Sequence, residues 1–190
     1  MDAGRSVELF RELDIEDHPA FAAVMEEFTS TGEASRSTLL RAANEYLRQS
    51  EGRGAEVLVL DALFGYLPSL LAWGDTDAEI DDFFRRMAEL FSDSRVLEIH
   101  LRGDLRAALD RAVTREGEDW LTDQVKKTAS FRGAPPIATP DEAVSYLNVL
   151  AARAASLLER APWTVSFVDA DAGEDDVLAQ ALEALQPYLQ

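Results

Sequence analysis

Val57-Leu58-Val59-Leu60-Asp61 carries the clearest local signal in the chain. It is a short, continuous apolar run, entered from Glu51-Gly52-Arg53-Gly54 and closed by a carboxylate. A run without alternation, bounded by glycines, is predicted as a strand covered on both faces, as strands of parallel sheets are. Two later segments share its character. Val96-Leu97-Glu98-Ile99-His100-Leu101 precedes Arg102-Gly103-Asp104, and Trp163-Thr164-Val165-Ser166-Phe167-Val168 precedes Asp169-Ala170-Asp171. The three are expected to lie side by side, pointing the same way.

Between these runs the apolar period becomes helical. Ile80, Phe83, Phe84, Met87, Leu90 and Phe91 form one face of a helix over 77–91, opened by Thr76 or Asp77. Thr139-Pro140-Asp141-Glu142 starts a second helix, with proline at its first position and acids in its first turn, running to about Arg160. Residues 35–49 and 174–185 read the same way, and a further helix over 20–28 is entered through Asp17-His18-Pro19. Val7-Glu8-Leu9-Phe10 is readable as a short strand. Alternating strands and helices predict a three-layer α/β/α fold with a mostly parallel sheet. The length of 190 residues suits one domain over 1–190.

Composition narrows the function. Eighteen Lys and Arg against 36 Asp and Glu leave a net charge of −18. Such a field repels nucleic-acid backbones and anionic lipid, so neither nucleic acid nor membrane is expected as a partner. The chain has no cysteine, which removes disulfides, thiolate metal sites and a cysteine nucleophile. His18 and His100 show no ligand spacing: His18 reads as a helix-capping element and His100 as a core residue. No apolar run is long enough to span a bilayer and none opens the chain, so a cytoplasmic, bacterial-type protein is expected.

Ligands of open α/β sheets bind beyond the carboxyl ends of the strands. Asp61 sits there, either to hold a magnesium-bound water or accept a proton, or simply to cap the next turn. Arg111 and Arg115, at i and i+4, either clamp a polyphosphate or lie on a solvated face beside Asp104, Asp110 and Glu116. Asp169, Asp171, Glu174, Asp175 and Asp176 cluster at a helix start, where the helix dipole favours acids and a divalent cation is the other reading.

The order of these pieces, with "VLEIHLRGD" leading into "LRAALDRAVTREGEDWL" and "WTVSFVDAD" before a closing helix, resembles the P-loop nucleoside and nucleotide kinases, the thymidylate-kinase-like group in particular. The similarity runs from Val7 to Leu189 and rests on order, spacing and the motif "ALDRAVTRE". The resemblance implies an ATP- and Mg2+-dependent phosphotransferase acting on a nucleotide or small molecule. Asp61 then matches the strand-end carboxylate, with catalytic and metal-binding roles, and Arg111 and Arg115 match nucleotide-binding lid arginines within a lid-like segment of about 104–133. Glu12 or Asp14 matches the acidic group after the family's second strand. Phe64 and Tyr66 fall where the family lines its acceptor pocket, and Trp120 follows the lid, within reach of a base or sugar.

One departure limits this resemblance. The family's GxxxxGK[ST] string, whose amides and lysine hold the β- and γ-phosphates, is absent. The only lysines, Lys126 and Lys127, follow Asp123-Gln124-Val125 with no glycine loop, and Ala62 replaces the arginine usual beside the strand-end aspartate. In the family's order the missing strand, loop and helix would precede Val7. The expectation is therefore an impaired or shortened kinase relative; the alternative is a non-catalytic or repurposed protein binding a small molecule or partner on the same fold. A sheet lacking its central strand has open edges, to be resolved by altered pairing, a homodimer or marginal stability.

Overall fold

The computed structural model describes residues 5–61 and 66–189; Phe64 lies outside them. In chain order the elements are β1 (Val7–Phe10), α1 (Ala22–Thr31), α2 (Arg36–Gly52), β2 (Val57–Leu60), α3 (Leu67–Ala72), α4 (Asp77–Leu90), β3 (Leu97–Arg102), α5 (Leu105–Glu116), α6 (Glu118–Ala129), α7 (Pro140–Leu158), β4 (Thr164–Asp169) and α8 (Glu174–Leu185). The fold is mixed α/β. Its contacts divide the chain into two compact units, Met1–Tyr66 with Asp82–Leu90, and Leu67–Asp81 with Phe91–Gln190.

Every strand pairing is parallel, as the apolar runs imply. The pairing itself differs from a single sheet: β1 pairs with β2, and β3 pairs with β4, giving two two-stranded sheets among the described residues. Among the described residues the run at 57–60 therefore pairs with neither the run at 97–102 nor that at 164–169. Strand sequence announces which faces are apolar, and neighbours are chosen by contacts distant in the chain.

In the first unit the register sets Glu8 opposite Leu58 and Phe10 opposite Leu60. Glu8 and Phe10 face α2, whose Tyr46 ring lies 4.7 Å from that of Phe10. Phe21 joins them, its ring centroid 5.2 Å from Phe10. Helix α2 starts where Ser35 accepts the Thr38 N–H. The opposite sheet face carries Val7, Leu9 and Val59, which stay 61%, 59% and 46% exposed. The expectation that 57–60 is covered on both faces is met on one face only among the described residues.

In the second unit β3 and β4 run in register from Leu97–Thr164 to Arg102–Asp169. Trp163 donates its indole N–H to Glu98 at 2.9 Å, while burial pushes the Glu98 carboxyl up against that bond. Helix α7 begins in a capping box in which Thr139 and Glu142 bond each other's backbone amides, with Pro140 at its first position. It buries Ala154, Leu157 and Leu158, and its Arg153 donates to Asp77 Oδ1 and to the Asp75 carbonyl, both at 2.6 Å. Gly117 separates α5 from α6 at φ 94°, a conformation that favours glycine. Among the described residues no helix is long and apolar enough to cross a membrane.

Candidate functional site

Asp61 lies directly after β2, exposed, its N–H donating to the Phe10 carbonyl at 2.9 Å. It belongs to the first unit, whereas Arg111 and Arg115 belong to the second. Each arginine already faces a carboxylate of its own neighbourhood. Arg115 Nε lies 2.6 Å from Glu116 Oε1, and Arg111 Nη1 lies 3.6 Å from Asp171 Oδ1. Lys126, on α6, faces Asp123 at 3.0 Å.

The best-defined polar constellation joins the ends of β3 and β4. Asp104 caps α5 by accepting the Ala107 N–H at 2.8 Å. The Asp104 N–H in turn donates to Asp171 Oδ2 at 2.5 Å, and the Asp171 N–H donates to Asp169 Oδ1 at 2.9 Å. Gly103 permits this approach: a Cβ there would sit 3.1 Å from Asp171 Oδ1. A backbone amide at a helix start beside a guanidinium is a donor set suited to an anion. Here the anion is the chain's own Asp171 carboxylate. The acidic run 169–176 thus includes a residue that ties the two strand ends together. What could have revealed it in the sequence is its place two residues past a strand end, level with Gly103-Asp104 on a parallel neighbour. Asp171→Ala is expected to lower stability by about 1 kcal/mol, the net value of an ordinary hydrogen bond, since this carboxylate is partly exposed, read by urea denaturation. A change within error would show that Asp171 does not hold the turn.

The other residues that the resemblance assigns to substrate binding each have local contacts or exposure of their own. Asp14 accepts from the backbone N–H of Arg11 at 2.8 Å and from its Nη2 at 2.9 Å. The side-chain bond from Arg11 is the main cause holding the Asp14 carboxyl below the usual range. Glu12 is exposed in the same short 3-10 turn. Tyr66 is buried, its ring 6.2 Å from Phe83 edge to face, and burial pushes its phenol well up. Trp120 is half-buried on α6. A shallow groove of about 410 Å³ lies elsewhere, along the start of α7, between Pro135, Pro136 and Ile137 on one side and Tyr146 and Val149 on the other.

His18 acts as the sequence suggests, its Nδ1 accepting the Ala20 N–H at 3.2 Å. It stands among Phe10, Phe21 and Tyr46, with centroids 5.3, 5.9 and 5.3 Å away. Burial, then the charge of Arg53, lowers its pKa below 6.5, while Glu8 and Asp14 oppose them. His100, edge-on to Phe167, is lowered too, first by burial and then by Arg102. Both folded environments favour neutral imidazole, so their contribution is complete above pH 6.5 and declines as pH falls through that value. Unfolding free energy is expected to drop between pH 7 and 5, with a smaller drop in His18→Gln. An equal slope in that variant would remove His18 from the cause.

No known protein family, curated protein or solved structure matches this chain. Among the described residues no three His, Asp or Glu side chains converge to hold a metal ion. Asp61 is a single exposed carboxylate, and Arg111 and Arg115 each lie beside an acid.

Proposed function

We propose that the chain is a relative of the P-loop nucleoside and nucleotide kinases, with the three-layer α/β/α ground plan, that does not itself transfer phosphoryl groups and serves as a binding protein. The observation that carries this is the pair of two-stranded parallel sheets. In the family a central strand leads into the glycine-lysine loop, and two separate parallel pairs are what such a sheet shows where no strand joins them among the described residues. The Arg111–Asp171 and Arg115–Glu116 pairs support the loss of transfer, since a polyphosphate would have to displace a carboxylate from each guanidinium.

A Mg2+-ATP titration by calorimetry tests the reading. The expected result is no saturable, magnesium-dependent binding tighter than about 1 mM. Submillimolar binding that requires magnesium and weakens in Arg111→Ala would contradict it, and would reinstate an ATP-dependent phosphotransferase acting on a nucleotide or small molecule.

A further inference from the structure

Helix α8 has two apolar sides. Towards β3 and β4 it turns the less exposed Val177, Ala181, Ala184 and Leu185, with Gln180 accepting the Asp169 N–H at 3.2 Å. Leu178 and Leu182, at i and i+4, point away and remain 56% and 49% exposed, and Leu189 beyond the helix is 58% exposed. A helix that buries one stripe needs only that stripe apolar; a second stripe is the pattern of a helix covered on both sides.

Charge selects what covers it. From Asp171 to Leu189 the chain carries Asp171, Glu174, Asp175, Asp176 and Glu183 and no Lys, Arg or His. Asp175 lies one turn before Leu178 on the same side, and Glu183 follows Leu182. The cations that reach this stretch lie at its two ends: Arg111 faces Asp171 at 3.6 Å, and Arg95 donates to the Pro187 carbonyl and stacks 4.7 Å from the Tyr188 ring. A second copy would bring the same acids against this face, and anionic lipid would be repelled in the same way. We propose that the outer face of α8 docks a cationic amphipathic helix of a partner protein, its apolar side on Leu178 and Leu182 and its Lys or Arg against Glu174, Asp175 and Glu183. This surface is independent of nucleotide, so it stands or falls apart from the kinase kinship.

The test uses the whole chain and a short labelled amphipathic peptide of leucine and lysine, by fluorescence anisotropy at about 0.15 M salt, where surface charges act over about 8 Å. A leucine–glutamate peptide of the same spacing is the control. Saturable binding of the lysine peptide, none of the glutamate peptide, and roughly tenfold or greater weakening in Leu178→Ser/Leu182→Ser are expected, since that variant leaves the charge unchanged. Equal binding by the double variant would reduce the effect to bulk acidity and overturn the proposal. So would no binding, or a dimer by sedimentation that the double variant dissolves. Should the variant fail to fold, amide shifts of the unaltered chain decide: changes centred on 174–189 support the site, and changes elsewhere refute it.

Discussion

Glu8→Ala is expected to destabilise the chain by about 2–4 kcal/mol. Glu8 is a carboxylate in the middle of β1, and its oxygens collect three donors from α2 and its end. The Tyr46 hydroxyl and the Ser50 hydroxyl each donate to Oε1 at 2.9 Å, and Arg53 completes the set through Nε at 3.2 Å and a second bond from Nη2. Tyr46 and Ser50 are 3% and 0% exposed, so alanine leaves two buried hydroxyls without this acceptor, at about 1–3 kcal/mol each. The Arg53 bond is the main cause of the lowered Glu8 pKa, while burial pushes the Tyr46 phenol up to about 12. The sign follows: this carboxylate stabilises the fold above pH 4.5, and that stability is lost as pH falls further. Urea denaturation at pH 7 measures the effect, with Glu8→Gln expected to lose less because it keeps an acceptor. A loss below about 0.5 kcal/mol, the range of ordinary surface substitutions, would mean the network does not hold α2 to the sheet.

Leu157→Ala is expected to cost about 2–5 kcal/mol through lost apolar transfer and the cavity left behind. Leu157 is fully buried on α7, beside the likewise buried Leu158 and one turn after Ala154. Val149, on the same helix but 62% exposed, provides the contrast: Val149→Ala should stay within about 0.5 kcal/mol. Equal losses at the two positions would show that α7 buries a different face.

Local chemistry was legible in the residues, and long-range pairing was not. Ser35, Thr139-Pro140 and the acids at 174–176 mark helix starts because they serve nearby amides or the helix dipole, and α2, α7 and α8 begin where those signals stand. Val57–Leu60 was readable as a strand because its apolar residues have no helical period. Its partner was not, because a run of four apolar residues fits any apolar neighbour. Glu8 between Val7 and Leu9 carries no local sign that α2 will supply three donors from residues 46–53. Arg111 and Arg115 were sound anion-binding candidates by type and spacing, yet their use depends on which carboxylate arrives. For Arg111 it is Asp171, sixty residues away in sequence. The reading of Tyr66 as pocket lining likewise meets a ring packed against Phe83.

Amide hydrogen exchange along β2 separates an open sheet edge from one that a further strand covers. In the parallel ladder Val57 and Asp61 donate to the carbonyls of Ser6 and Phe10, so alternate amides face β1 and those of Leu58 and Leu60 face the other edge. Among the described residues no strand pairs with that edge. The expected result is slow exchange at Val59 and Asp61, with exchange faster by roughly tenfold or more at Leu58 and Leu60. Uniformly slow exchange at all four would mean that another strand continues the sheet, contradicting an open β2 edge.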